Sequence, residues 1–307
     1  MHDRNSLSRR DFILASGALA GTALAHRSAL PLLAEAAAST PKVSAHIWVY
    51  ASAYPPNWDA TPVLDRAFSD LSFARFDGVE LMDSVLRHDG AVDRIAALAA
   101  KYALPVTGSS YGANMWDAQA HDATMKDVAQ VLSRLAQLHG TTFGISVGDA
   151  KRPKTDAEFD TQAAVLKEIS AICAGYGIVP NLHNHTYEVR DGMHDLKGTL
   201  ARLPDFKLGP DLNWLIRGGV DPVAFINTYG KQIVYMHIRD QYADGVWTEY
   251  VGQGVTNFPA IAAALRANHF SGRAAVELAF PDKFVPTEPL SESWKRSRDY
   301  VRNTFGW

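Results

Sequence analysis

Eight short apolar runs of β type recur along this chain, and helically spaced stretches lie between them. That alternation restricts the fold more than any composition does. The runs cover residues 45–50, 78–82, 105–109, 142–147, 179–183, 207–211, 233–238 and 274–278. Among the intervening stretches, 94–102, 128–138, 162–176 and 258–267 repeat apolar residues three and four apart. His139-Gly140, Gly175-Tyr176-Gly177 and Tyr229-Gly230 read as left-handed caps closing helices. Eight βα units in about 270 residues predict an α/β fold, a single (β/α)8 TIM barrel. A doubly wound sheet alternates too, but no Gly-x-Gly-x-x-Gly turn follows the first run. No linker, charge run or low-complexity segment divides residues 41–307, which therefore read as one domain.

Residues 1–40 carry a different signal. Ser8-Arg9-Arg10-Asp11-Phe12-Ile13-Leu14 has the twin-arginine pattern, followed by an apolar run to Ala25. That run is too short and too rich in Gly, Ala and Ser to be a membrane span, which needs about 20 strongly apolar residues. Small-residue cleavage sites follow at Ala23-Leu24-Ala25 and Ala36-Ala37-Ala38. The expected partner is the twin-arginine export machinery and the expected location periplasmic, with retention as a membrane anchor the alternative. Export of an already folded chain lets a metal be loaded first. It also suits a chain whose only cysteine, Cys173, lies on an apolar helix face and reads as core. A net charge of −3 without a basic tract argues against nucleic acid or an anionic membrane as partner.

The chemistry sits at the ends of four runs: Asn181-Leu182-His183-Asn184-His185, Leu208-Gly209-Pro210-Asp211, Tyr235-Met236-His237 and Ala274-Ala275-Val276-Glu277. On a barrel these ends converge on one mouth. His183, Asp211, His237 and Glu277 then offer a mixed nitrogen and oxygen set, suited to Mn, Zn, Co or Fe more than to Mg. Each has a plainer alternative: Asp211 can cap a helix beginning at Leu212, and His237 can pair with Asp240. Glu277 is the hardest to explain otherwise, because a buried carboxylate without a cation is costly. Either His183 or His185 can ligate, since side chains two apart on a strand share a face. Glu188 can orient one of them. Glu80 ends the second run, either as an acid/base or in an ion pair with Arg75, Arg239 or Arg273. Gly218-Gly219 and Gly252-Gln253-Gly254 are weak signals of phosphate binding. Trp48, Tyr50, Tyr111, Trp116 and Trp214 read as a wall for a sugar ring or as ordinary packing.

These segments resemble the xylose isomerase-like superfamily of sugar phosphate isomerases and epimerases, which also holds inosose isomerases and dehydratases, ketose 3-epimerases and endonuclease IV. The resemblance rests on Leu182-His183-Asn184-His185-Thr186-Tyr187-Glu188, Asp211-Leu212-Asn213-Trp214 with Gly219-Val220-Asp221-Pro222, His237-Ile238-Arg239-Asp240, and Val251-Gly252-Gln253-Gly254 with Val276-Glu277. It implies a divalent metal held by strands five to eight, with Asp211, His237 and Glu277 at the last three ligand positions. It also implies two glutamates that exchange a proton across an enediolate. This chain departs at the first ligand position, where His183 stands in place of Glu, as in a subgroup with a His-Asn-His signature. Asn257 likewise stands where the family commonly has Asp. The missing base then falls to Glu80, His185 or Glu188.

The expected function is a metal-dependent isomerase or epimerase of a sugar or keto-sugar. A lyase or hydratase on a keto-glycoside or inosose shares the proton-abstraction step, and a non-catalytic sugar-binding barrel is the alternative from another class. The expected catalytic residues are Glu277, Glu80 and His185. Arg239, Glu188, Trp214 and Trp48 are expected to bind substrate. The partner is a small carbohydrate, unphosphorylated if the chain is exported, and a homo-oligomer stays open.

Overall fold

The fold is built on strands apolar enough to be buried on both faces, as a closed parallel sheet requires. The structure is a computed structural model that describes residues 40–307. The export signal falls, but for Thr40, outside the described residues. Seven parallel strands, β1 (Val43–His46), β2 (Gly78–Met82), β3 (Val106–Gly112), β4 (Thr142–Ser146), β5 (Val179–Leu182), β6 (His237–Ile238) and β7 (Ala274–Glu277), are ordered β5-β4-β3-β2-β1-β7-β6. Every residue of β1 and β7 is buried.

The eighth position is filled by a segment that is barely a strand. Leu208 bridges Leu182 on one side and Ile233 on the other, closing the cylinder between β5 and β6. Backbone hydrogen bonds from Gly209 N to Leu182 O (2.8 Å) and from Val234 N to Leu208 O (2.9 Å) fasten it. The sequence predicts a full strand over 207–211. Pro210 has no N–H to give a ladder, which cuts the pairing to isolated bridges at Leu208 and Asp211. Gly209 is needed here: a Cβ would lie 1.8 Å from Asn181 Oδ1, inside the barrel. The run at 233–238 shortens likewise, to His237–Ile238.

Helices lie between the strands and are set by local signals. Thr155 and Glu158 form a reciprocal capping box for Asp156–Tyr176, and Gly177 closes that helix at φ 68°. The other two expected glycine caps differ. His139, not Gly140, takes the positive φ (61°), and Gly230 is right-handed. Cys173 is fully buried, as its apolar helix face predicts. The first strand ends earlier than expected, so Trp48 and Tyr50 lie in a short helix, Trp48–Ala51. Tyr50 therefore turns to the core, where its hydroxyl accepts from Trp294 Nε1 (2.9 Å) and donates to Asp70 (2.9 Å).

Candidate active site and metal centre

The C-terminal ends of the strands place polar side chains around one mouth. His46 ends β1, Ser110 lies near the end of β3, Ser146 ends β4, and His183 and His185 follow β5. Asp211 follows the Leu208 segment, His237 and Arg239 come with β6, and Glu277 ends β7. A cavity of about 440 Å³ opens there, and all of these but Asp211 line it, together with Trp48, Trp214 and Trp247. A separate cleft of about 360 Å³, between Arg202 and Lys207, lies at the opposite end of β5 and holds no imidazole.

Three of the four expected ligands come together. His183, Asp211 and His237 each offer one atom, all within 4.8 Å of one another, and all three residues are buried. Two observations test whether a metal suits them. His237 Nδ1 is buried without a well-directed hydrogen bond, although Glu277 Oε2 lies 2.7 Å away. Glu80, Asp211 and Glu277 also crowd one buried space, and Arg239 is the only arginine or lysine paired with any of them among the described residues. A divalent ion balances the remaining two carboxylates while every imidazole stays neutral. Burial, reinforced by His237 and His185, holds the His183 imidazole well below its usual pKa, in the neutral form a ligand needs. With no ion, burial opposes protonation of His237, but Glu80 and Glu277 overcome it and raise its pKa to about 10. A proton then stands where the metal charge would.

Asp211 satisfies both readings of it. Oδ1 caps the helix Leu212–Arg217 by accepting from Asn213 N (2.8 Å) and Trp214 N (3.0 Å), while Oδ2 meets Arg239 at 3.1 Å. Glu277 stands beside the ligand trio and not within it. One of its oxygens bonds Arg239; the other lies 2.7 Å from His237 Nδ1 and 3.5 Å from His46 Nδ1. Burial works to raise the Glu277 pKa, but Arg239, His46 and His237 hold it well below the usual carboxylate range.

Glu80 and Glu188 are the expectations that move. Glu80 lies beneath His237, accepting from Tyr235 Oη (2.9 Å) and pairing with His237 Nε2 (2.7 Å). It is 1 % exposed and does not line the cavity, so its contact is with His237 and not with the cavity. The Asp240 partner considered for His237 is engaged elsewhere. Its carboxylate accepts backbone N–H groups from Gln241, Gly252, Gly254 and Thr256, at 2.9–3.3 Å. The Gly-x-Gly loop thus wraps the chain's own carboxylate, which accounts for its glycines without a phosphate. Glu188 is also buried away from the cavity, and its carboxylate accepts from His185 N (2.6 Å) and Val147 N (3.4 Å). It fixes the loop carrying the histidines, as the reading of Glu188 as an orienting residue expects.

His185 and Arg239 do face the cavity. His185 Nδ1 lies 3.1 Å from Ser146 Oγ, and its ring stacks on Tyr187 at 5.3 Å and 11°. The side chain is 38 % exposed, yet desolvation by the protein around it pushes its pKa down to about 4. The Arg239 guanidinium lies 5.3 Å from the Trp214 ring centroid and 5.2 Å from that of Trp247.

The sequence reading missed His46, Ser110, Ser146 and Trp247. His46 had the right signal, an apolar run ending in histidine, but a first strand placed at 45–50 hid it. His46 Nε2 lies 2.9 Å from Ser110 Oγ, and burial, against the pull of Glu277 and Glu80, keeps the imidazole pKa low. No local pattern distinguishes the two serines from core hydroxyls.

The family of xylose isomerase-like TIM barrels matches residues 70–304. Among solved structures, a D-allulose 3-epimerase from Methylomonas sp. superposes with a TM-score of 0.70 at 16% identity, covering 86% of this chain and 98% of its own. A sugar phosphate isomerase/epimerase from Parabacteroides distasonis gives 0.67 at 16%, covering 87% and 95%. The 3-keto-D-glucoside 4-epimerase of E. coli gives 0.67 at 16%, covering 86% and 100%. No curated protein sequence matches the chain significantly.

Proposed function

We propose, since this chain belongs to the family of xylose isomerase-like TIM barrels, that it is a metal-dependent isomerase or epimerase of a sugar or keto-sugar. The observation that carries the reading is the buried trio His183, Asp211 and His237, two of which line a sugar-sized cavity, beside an ionised carboxylate. When bound, a divalent ion such as Mn, Zn, Co or Fe supplies Lewis acidity that acidifies the C–H next to a substrate carbonyl.

The protein's own groups do the rest. Glu80 and Tyr235 grip His237 from below and fix its ring. Arg239 aims Glu277 and keeps it ionised, so Glu277 takes the proton beside the carbonyl. His185 follows β5, while Glu277 ends β7; three places apart around an eight-membered cylinder, they stand on nearly facing walls. Ser146 engages His185 Nδ1, which leaves Nε2 for substrate. His185 thereby serves as the second proton-transfer group that His183, standing where relatives carry Glu, does not supply. Trp48, Trp214 and Trp247 give the cavity apolar surface for a sugar ring. Return of the proton gives isomerisation or epimerisation; loss of a β-substituent from the same enediolate gives elimination.

The test is solvent exchange. With Mn²⁺ or Co²⁺ in D₂O, deuterium should enter a ketose or keto-sugar next to its carbonyl, followed by NMR. No exchange by metal-loaded protein across free ketoses, keto-glycosides and inososes sinks the proposal. Sugar binding by a metal-free protein that never exchanges favours the non-catalytic barrel. Export is proposed alongside, on the Ser8-Arg9-Arg10 motif. Replacing both arginines by lysine should hold the protein in the cytoplasmic fraction.

A further inference from the structure

The catalytic cavity does not end at its own rim. A second, open groove of about 550 Å³ continues from it, and Gly112 and Tyr187 line both spaces. The outer groove runs over the loops after β3 and β4. Its lining differs in kind from the inner cavity: no imidazole and no tryptophan, but the amide of Asn114, the carboxylate of Asp149 and the ammonium of Lys151. Such groups hydrogen-bond hydroxyls and carry no chemistry of the kind held inside.

The outer groove is built. Asp149 is held in place by Lys151, whose backbone N–H donates at 2.7 Å and whose Nζ donates at 3.1 Å, and by Arg190 at 3.3 Å. Gly148 sits at φ 85°, and a Cβ there would lie 2.4 Å from Asn114 Oδ1 and 2.7 Å from Ala113 O. Only glycine fits, so the two loops meet closely without a side chain at that position.

We infer that the substrate is a glycoside and not a free monosaccharide, its second ring lying in the groove bounded by Asn114, Asp149 and Lys151. The inference rests on the proposed reading of the inner cavity. The reacting ring must reach the bottom, where His183, Asp211, His237 and Glu277 lie. A single sugar there leaves the Asn114 amide and the paired Asp149 and Lys151 without a substrate contact. A glycosidic bond passing between Gly112 and Tyr187 joins the two spaces.

Equilibrium binding to the metal-loaded protein tests it, using a free ketohexose, a keto-glucoside with a methyl aglycone, and one with a glucosyl aglycone. The native protein should bind the glucosyl compound at least about tenfold more tightly than the free ketohexose, with the methyl compound between. Asn114→Ala and Lys151→Ala should each shrink that ratio about threefold or more. Gly112→Phe, which puts a ring at the junction, should remove it. Gly112 tolerates a side chain, since a Cβ there meets its nearest neighbour at 3.9 Å. Equal binding of the three sugars by the native protein, or an unchanged ratio in Asn114→Ala and Lys151→Ala, overturns the groove assignment alone. Absence of both sugar binding and proton exchange overturns it together with the proposed function.

Discussion

The two walls of the cavity solve opposite electrostatic problems. On the wall of β6, β7 and β2, Arg239, His237, Glu277 and Glu80 form a chain of buried, mutually paired ionisable groups. On the wall of β3, β4 and the loop after β5, the half-buried His185 pairs with a serine hydroxyl and the buried His183 stands unpaired, and desolvation lowers the pKa of both. His46 joins the two, one nitrogen on Ser110 and the other near Glu277. The charged wall can hold an ion because its carboxylates outnumber its arginine. The neutral wall supplies His183 to the same trio and presents the uncharged His185 to the cavity.

The contrast is open to attack, beginning with the largest expected effect. Glu277→Gln should slow deuterium exchange by about 10³-fold, the middle of the range for a lost general base. His185→Gln should slow it by about 10²-fold, while chelator competition shows metal affinity changed by less than about threefold. Glu80→Gln, out of reach of substrate, should do the reverse and weaken metal binding by about 10- to 100-fold through a loosened His237. If His185→Gln costs as much metal affinity as Glu80→Gln, the division of labour between the walls is wrong.

Away from the cavity the effects shrink. Thr155→Ala, which opens a capping box on an exposed helix end, should cost about 1 kcal/mol in denaturant unfolding. Its partner Glu158, held by Arg152 and by the Thr155 backbone, has a pKa lowered to about 2. A carboxylate depressed in the folded state stabilises above its unfolded pKa and loses that contribution as pH falls through the folded one. The contribution of Glu158 should therefore be complete above about pH 4.5 and fade toward pH 2. Cys173, whose thiol burial pushes up to about 12, should resist iodoacetamide at pH 8 until the protein unfolds.

Much of this was legible along the chain, because buried strands and amphipathic helices write their periods into sequence. The runs at 78–82, 142–147 and 274–278 appear close to where they were expected, since each is mainly apolar and bounded by turn residues. The weak eighth position at Leu208 was overread: apolar character does not reveal that Gly209-Pro210 cannot pair along its length. The convergence of His183, Asp211 and His237 was legible because each follows an apolar run. Glu80, read as an acid/base or an ion-pair partner, pairs with His237, and Glu188, read as orienting a histidine or binding substrate, accepts from the backbone N–H of His185. A strand end tells where a side chain starts, and not which neighbour takes it.

By itself the sequence determined the barrel, the mouth where its polar side chains gather and the three residues, His183, Asp211 and His237, that come close enough there to hold a metal. Those follow from repeat length and polarity, which are local properties. Only the tertiary structure decided that Arg239 binds Glu277 and Asp211, that His46 and Ser110 join the site, and that a glycine loop encloses Asp240. Each of these pairs residues more than ten positions apart, or from different strands. Which of them meet depends on how the cylinder closes, and closure is a property of the whole sheet.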